Sequence, residues 1–152
     1  MLKIKLIAAL CAVIMLLLAG CSKGEDAPTD DFREGSVAEL PIAEHLSAKT
    51  EFNEYDGNVE KIFITITNDS DKEFPYDNWW RLEKEADGEW RTIKLTEDIY
   101  VLDFNVSIPA HSTQTVGYEL KGHIKQPLLS GHYRLWVGGE KGRVPAEFTI
   151  KE

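Results

Sequence analysis

Four histidines, at positions 45, 111, 123 and 132, are the side chains of this 152-residue chain best suited to proton transfer or zinc binding. They stand 66, 12 and 9 residues apart, so none has the close partner that zinc pairs use, and they read as exposed loop or strand histidines. Asp103, His111 and Ser112 are the residue types of a hydrolytic triad. A triad is defined by geometry, and His111-Ser112 follows Pro109 in a segment with turn chemistry, so no catalytic role is assigned there. Asn68-Asp69-Ser70-Asp71 with Glu73 offers oxygen ligands for calcium, as do Glu25, Asp26, Asp30, Asp31 and Glu34. The first group is explained by a turn, and the second lacks the regular acidic spacing of a calcium loop. The chain has no G-x-S-x-G, H-E-x-x-H, glycine-rich phosphate loop or C-x-x-C. The expectation is a non-enzymatic protein with no metal and no cofactor.

One segment has the composition of a recognition surface. Phe74-Pro75-Tyr76-Asp77-Asn78-Trp79-Trp80 places four aromatic residues within seven positions. Flat rings anchor peptides and stack on sugars, which makes Tyr76, Trp79 and Trp80 the candidate binding surface. Neighbouring strand residues point to opposite faces. If Trp80 and Leu82 face a core, Trp79 either faces outward or covers an open end of the fold as satellite core. Trp136 is expected on an outer face, paired with Trp90 across strands.

The elements that position these residues are strands. Leu46, Ala48, Thr50 and Phe52 alternate with polar residues, and Glu54 to Asn58 breaks the run. Val59 to Thr67 puts Ile62, Ile64 and Ile66 on one face and Phe63, Thr65 and Thr67 on the other. Trp80, Leu82 and Lys84 share a face, Ala86-Asp87-Gly88 turns the chain, and Trp90 to Leu95 returns, which makes a hairpin. Val106 and Ile108 precede a Pro109–Ser112 loop. Val116, Tyr118 and Leu120, then Tyr133, Leu135 and Val137, then Ala146, Phe148 and Ile150 complete the alternating segments. About seven short strands with almost no helical periodicity predict an all-β antiparallel sandwich or barrel. Pro41 allows one helical turn within Ala38 to Ser47.

Lys plus Arg number 17 and Asp plus Glu 26, for a net charge of −9. Seventeen of the first 20 residues are apolar, the exceptions being Lys3, Lys5 and Gly20. Losing this stretch removes two cations and no acid, and leaves −11. Such acidity excludes nucleic acid as a partner, since phosphate binding needs clustered cations. The run Leu6–Ala19 is 14 residues long. That is short of the roughly 20 needed to span a bilayer and suits the apolar region of a signal peptide. It ends Leu18-Ala19-Gly20-Cys21, which resembles the lipobox of bacterial lipoproteins. That resemblance implies cleavage before Cys21 and a diacylglycerol, with further fatty acyl chains such as palmitate, on its thiol. The chain then divides into a lipoprotein signal peptide at 1–20, a flexible acidic tether at 21–36 and a folded domain at 37–152. Cys11 leaves with the signal and Cys21 carries lipid, so the mature domain has no disulfide. The protein is expected at the cell membrane, lipid-anchored on its extracytoplasmic face, or at the outer membrane facing the periplasm if the cell is Gram-negative.

Four pieces of the folded part resemble bacterial immunoglobulin-like domains of surface lipoproteins. They are the Ile62–Asn68 strand ending in I-T-N-D-S, the R-L-E-K-E-A-D-G-E-W hairpin at Arg81 to Trp90, I-P-A-H-S-T at Ile108 to Thr113, and L-L-S-G-H-Y-R-L at Leu128 to Leu135. In the last, Gly131 and Tyr133 look like the G-x-Y of a tyrosine corner. The resemblance spans roughly Leu46 to Ile150 and implies an immunoglobulin-like antiparallel sandwich without shared catalytic residues. It also implies a corner in which the Tyr133 hydroxyl bonds backbone. The function expected is an extracytoplasmic binding module with a protein partner. The alternatives are a proteinase inhibitor acting through loop 71–78 or 121–129, and an accessory or sensor domain for a membrane protein. Replacing Cys21 by Ala should release the protein from membranes or leave an uncleaved precursor. Unchanged membrane fractionation with a normal mature mass would exclude the lipid anchor.

Overall fold

A computed structural model describes residues 29–34, 39–101 and 106–152. The expected signal peptide, Cys21, most of the expected tether and Asp103 lie outside the described residues. Ten strands are present: β1 Leu46–Thr50, β2 Glu54–Tyr55, β3 Lys61–Asn68, β4 Phe74–Tyr76, β5 Arg81–Ala86, β6 Glu89–Thr92, β7 Val106–Ile108, β8 Ser112–Glu119, β9 Gly131–Gly139 and β10 Gly142–Ile150. They form a three-stranded sheet β1-β3-β8, a five-stranded sheet β2-β10-β9-β5-β6 and a small pair β4-β7. All neighbours are antiparallel except β2, which runs parallel to β10.

The architecture is the expected immunoglobulin-like sandwich. Three strands are additional to the seven or so expected, or shorter than pattern reading can resolve. β2 lies within the E-Y-D-G-N break, and β4 and β7 span three residues each. Two- and three-residue strands carry too few alternations to register as a period of two.

The core follows from alternation. Ile62, Ile64 and Ile66 on β3 are fully buried, and between them Phe63 is exposed. They meet Leu82, Tyr133, Leu135, Val137, Ala146, Phe148 and Ile150 of the larger sheet, with Tyr118 and Leu120 closing one side. Tyr133 stacks on Phe148 at 5.7 Å between ring centres. The Asp87-Gly88 turn has φ of 56° and 79°, so both central residues are left-handed, as a type I′ hairpin turn demands.

No helical turn forms at 38–47 among the described residues. Instead Arg143 donates its backbone N–H to Pro41 O at 2.7 Å, and Ala43 donates to Arg143 O at 3.0 Å. This stretch therefore bridges to β10, and tertiary pairing overrides the local preference of Pro41 for a helix start. Part of the expected tether is also bonded. Arg33 N–H donates to Thr92 O and Lys94 N–H to Asp31 O, while the Arg91 guanidinium lies 4.0 Å from the Phe32 ring centre. Asp30 accepts from Lys84 Nζ at 2.7 Å, both side chains being largely buried. Residues 30–33 thus cover the β6 edge, because Phe32 gives an otherwise polar segment an apolar group to dock.

Buried polar groups pin the corners. At the end of β3, Asn68 is fully buried. Its Nδ2 donates to Lys72 O, Ile108 O and Pro109 O, and its Oδ1 accepts from Ser70 N–H and Ser70 Oγ. Asparagine supplies both donors and an acceptor, which no other side chain of that size does. The Tyr133 hydroxyl donates to Leu129 O at 2.6 Å. Burial raises its pKa, so it remains a neutral donor at any physiological pH. Gly131 has φ of 150°, and a Cβ there would lie 2.6 Å from Lys84 Cε. The Tyr118 hydroxyl is also buried, but without a hydrogen-bond partner among the described residues.

These two tyrosines make opposite predictions. Tyr133→Phe should lower the unfolding free energy by about 1 kcal/mol, because it orphans the Leu129 carbonyl. Tyr118→Phe should leave stability unchanged or raise it, since it removes an unpaired buried hydroxyl. Denaturant midpoints of the two variants decide the matter, and a Tyr133→Phe midpoint equal to wild type would refute the corner's contribution.

Candidate functional site

The aromatic segment forms a tied corner between the two sheets. β4 pairs with β7, which half-buries Phe74 and Tyr76 against the core. Asp77 then meets Arg143 of β10 in a two-pronged ion pair, with Nη1 to Oδ1 at 2.8 Å and Nη2 to Oδ2 at 2.9 Å. Their side chains are 13% and 10% exposed. Asp77 Oδ1 also accepts from Trp79 N–H, and Arg143 Nη1 donates to Trp79 O. The same guanidinium lies 4.4 Å from the Trp79 ring centre, close enough for a cation–π contact. Asn78 donates to Tyr100 O at 2.9 Å, which ties the segment to the next loop.

The three residues singled out by sequence have different fates. Trp80 is 3% exposed, belongs to the core and meets His123 edge-on at 6.1 Å. It offers no accessible ring. Tyr76 packs half-buried against the core. Trp79 is half-buried too, and it lines a groove of about 640 Å³. The apolar residues lining it are Trp79, Ile93, Leu95 and Ile99, with the buried Trp80 and Leu82 beneath, and the charged ones are Arg33, Arg81, Lys94 and Asp98. Three cations and one acid therefore line the groove in a chain whose net charge is −9, and Arg81 is already paired with Glu83. Arg33 and Lys94 have no carboxylate partner among the described residues. Burial lowers the Arg81 pKa, opposed by Glu83 and reinforced by Arg134 and Arg33.

Arg33, Arg81 and Arg143 were not visible as site residues in the sequence. Arg81 adjoins Trp79-Trp80 in sequence but carries no motif there, and Arg33 and Arg143 reach the tryptophans only through pairing with distant strands. Trp79 carried the one legible signal.

The outer face of the larger sheet corrects the expected Trp90–Trp136 pair. Glu83 on β5 stands between them in the register. The Arg134 guanidinium lies 4.2 Å from the Trp90 ring centre and 4.9 Å from that of Trp136, so the two rings sandwich a cation instead of touching. Glu83, 4% exposed, accepts from Arg134 Nε at 2.6 Å and Trp136 Nε1 at 2.9 Å, and pairs with Arg81 at 2.9 Å. β5 lies between the two strands, and Trp90 stands opposite Glu85 while Trp136 stands opposite Arg81, so the rings are offset along β5 and the arginine fills the gap.

The remaining candidates are used internally. Asn68 and Ser70 bond each other and nearby backbone, Asp71 pairs with His111 Nε2 at 2.8 Å, and Glu73 accepts from Ser107 at 2.9 Å. Calcium therefore has no shared set of free oxygens in this turn. Ser112 donates to Pro109 O, not to His111. His132 lies between Glu85 and Glu147, and His123 Nδ1 lies 3.4 Å from Glu97 O. Among the described residues no three His, Cys, Asp or Glu side chains converge as a metal site. The two loops considered for protease inhibition are each anchored in part and exposed in part. β4 is paired within 71–78, and Ile124 and Leu128 are buried within 121–129.

Residues 43–149 match the family described as bacterial Ig-like domain. The chain belongs to the bacterial Ig-like domain family. No curated protein matches it. Among solved structures, 70% of this Ig-like chain overlays 15% of the β-glucosidase EmGH1 from Erythrobacter marinus, at 12% identity and a TM-score of 0.41. The same share overlays 16% of a β-glucosidase from Listeria innocua in complex with glucose, at 18% identity and a TM-score of 0.37. It also resembles, over 71% of its length and 31% of theirs, the alkylpurine DNA glycosylase AlkC from Pseudomonas fluorescens bound to DNA containing an abasic site analog, at 16% identity and a TM-score of 0.37. The chain spans less than a third of each of these proteins, and their activities do not transfer to it.

The Asp77–Arg143 pair sets the groove's stability. Arg143→Met should cost about 3 kcal/mol, because it leaves the Asp77 carboxylate buried without its partner. Adding Asp77→Asn should restore part of the loss. Equal midpoints for wild type and Arg143→Met would show the pair to be dispensable.

Proposed function

We propose that this protein is a lipid-anchored, non-enzymatic Ig-like module that recognises a protein partner on the extracytoplasmic side of a bacterial membrane. The observation that carries the recognition reading is the groove beside Trp79. It sets the half-buried Trp79 and an apolar lining beside Arg33 and Lys94 on an acidic chain. A volume of about 640 Å³ falls within the usual range for binding clefts. The rim's charge opposes that of the body, so an incoming acidic, apolar segment is drawn to this groove and repelled elsewhere. The Leu18–Cys21 lipobox supports the anchoring, since lipid on Cys21 contributes roughly 0.8 kcal/mol per buried methylene and two or more chains hold a protein firmly. Membership of a family with an Ig-like fold and no shared catalytic residues supports binding over catalysis.

The test is a crosslinking pull-down from intact cells. Wild type should capture a specific partner that both Trp79→Ala and the double variant Arg33→Glu, Lys94→Glu lose. Capture that survives both variants would move recognition away from the groove.

A further inference from the structure

The backbone hydrogen-bond parity of the smaller sheet leaves one long strand edge open. In an antiparallel ladder, residues alternate between pointing both backbone groups toward one neighbour and toward the other. Glu51 N–H donates to Phe63 O and Asp69 N–H to His45 O, so Phe63, Thr65 and Thr67 of β3 point toward β1. Leu120 N–H donates to Glu60 O, which makes Ile62, Ile64 and Ile66 the residues bonded to β8. Their partners are Tyr118, Val116 and Gln114. Thr113, Thr115, Gly117 and Glu119 therefore turn their N–H and C=O groups outward, where no described backbone group bonds them and the one side-chain contact among the described residues is a long 3.3 Å bond from Gln114 Nε2 of the same strand to Thr115 O. All four are exposed.

This edge lacks the devices that normally close one. β8 contains no proline and no lysine, and its first charged residue is Glu119 at the end. The contrast lies within the same molecule. Residues 31–33 cover β6, β2 has only two residues, and the free side of β10 is met by Ile42 near one end and by Thr50 Oγ1 on Glu147 O.

We propose that the open edge of β8 pairs antiparallel with β8 of a second copy of this chain, about a two-fold axis at Thr115. The strand is self-complementary in this register. Thr115 lies opposite Thr115 of the other copy, and Thr113 opposite Gly117, so every outward N–H and C=O from Thr113 to Gly117 meets one of opposite kind. The next position sets Glu119 against His111, once at each end by symmetry. This places the exposed Lys61–Glu119 pair beside the exposed Asp71–His111 pair and continues an alternation of charge. Phe63, 44% exposed, leans over Gly117, so an apolar ring flanks the position where the glycine would admit the facing threonine. A two-fold contact uses the same patch on both copies and closes on itself, which prevents runaway edge pairing.

Single cysteines in the full-length protein test the register in isolated membranes under mild oxidation, with the wild-type chain as baseline. A hydrogen-bonded antiparallel pair holds Cα atoms about 5.5 Å apart, within disulfide reach. Thr115→Cys should give a disulfide-linked dimer well above the baseline, whereas Thr113→Cys, displaced from the axis, should not. Both positions are exposed, and unchanged thermal midpoints verify that the variants fold. Three outcomes would overturn the proposal. They are no dimer from Thr115→Cys, equal dimer from both variants as random collision gives, and coupling of Thr115→Cys to a different protein, which would assign the edge to another strand donor.

Discussion

The isoleucine stripe of β3 must face the larger sheet, and most of the structure depends on that. With no disulfide in the described domain, packing carries the stability, and Ile62, Ile64 and Ile66 are fully buried at its centre. A strand's side chains alternate with a period of two, so a slip of one residue would turn all three isoleucines to water and bring Phe63, Thr65 and Thr67 inside. That cost fixes the register of β1 on one side and β8 on the other. It also fixes which backbone groups each strand has left to offer. The open edge of β8 is thus a consequence of core packing.

Polar groups then lock the places where the chain changes sheet. Asn68 closes the end of β3 against the Lys72 and Pro109 turns, Tyr133 holds the approach to β9, and the Asp77–Arg143 pair joins the β4–β5 corner to β10. Each is buried and satisfied, so each contributes only modestly when intact and costs several-fold more when one partner is removed. Specific corners follow from that asymmetry. The Arg143 guanidinium serves twice, since it neutralises Asp77 and carries the Trp79 ring, and so couples the fold to the shape of the groove.

Charge organises the surface at two scales. The chain as a whole is acidic, while the groove rim gathers Arg33, Arg81 and Lys94. On the adjacent outer face, Arg134 between two tryptophans and Glu83 beneath form a closed network that leaves little ring surface accessible. Two aromatic regions of similar composition therefore differ in accessibility. In one, Arg134 lies between both rings, and in the other Arg143 lies on Trp79, which still lines a groove.

The sequence by itself determined the fold class, the main strands, the Asp87-Gly88 turn and the inward residues of β3, β9 and β10. These are readable because alternation and turn chemistry depend on residues next to one another. It also marked Trp79, since clustered aromatics are visible locally. Only the tertiary structure decided that Trp80 is core, that Asp30 to Arg33 docks on β6, that an arginine separates Trp90 from Trp136, and that Arg143 clamps Asp77 from 66 positions away. Those outcomes depend on strand register and on which edges meet, and both are set by pairing between distant parts of the chain. No local pattern encodes a partner that arrives only when the two sheets close over the same core.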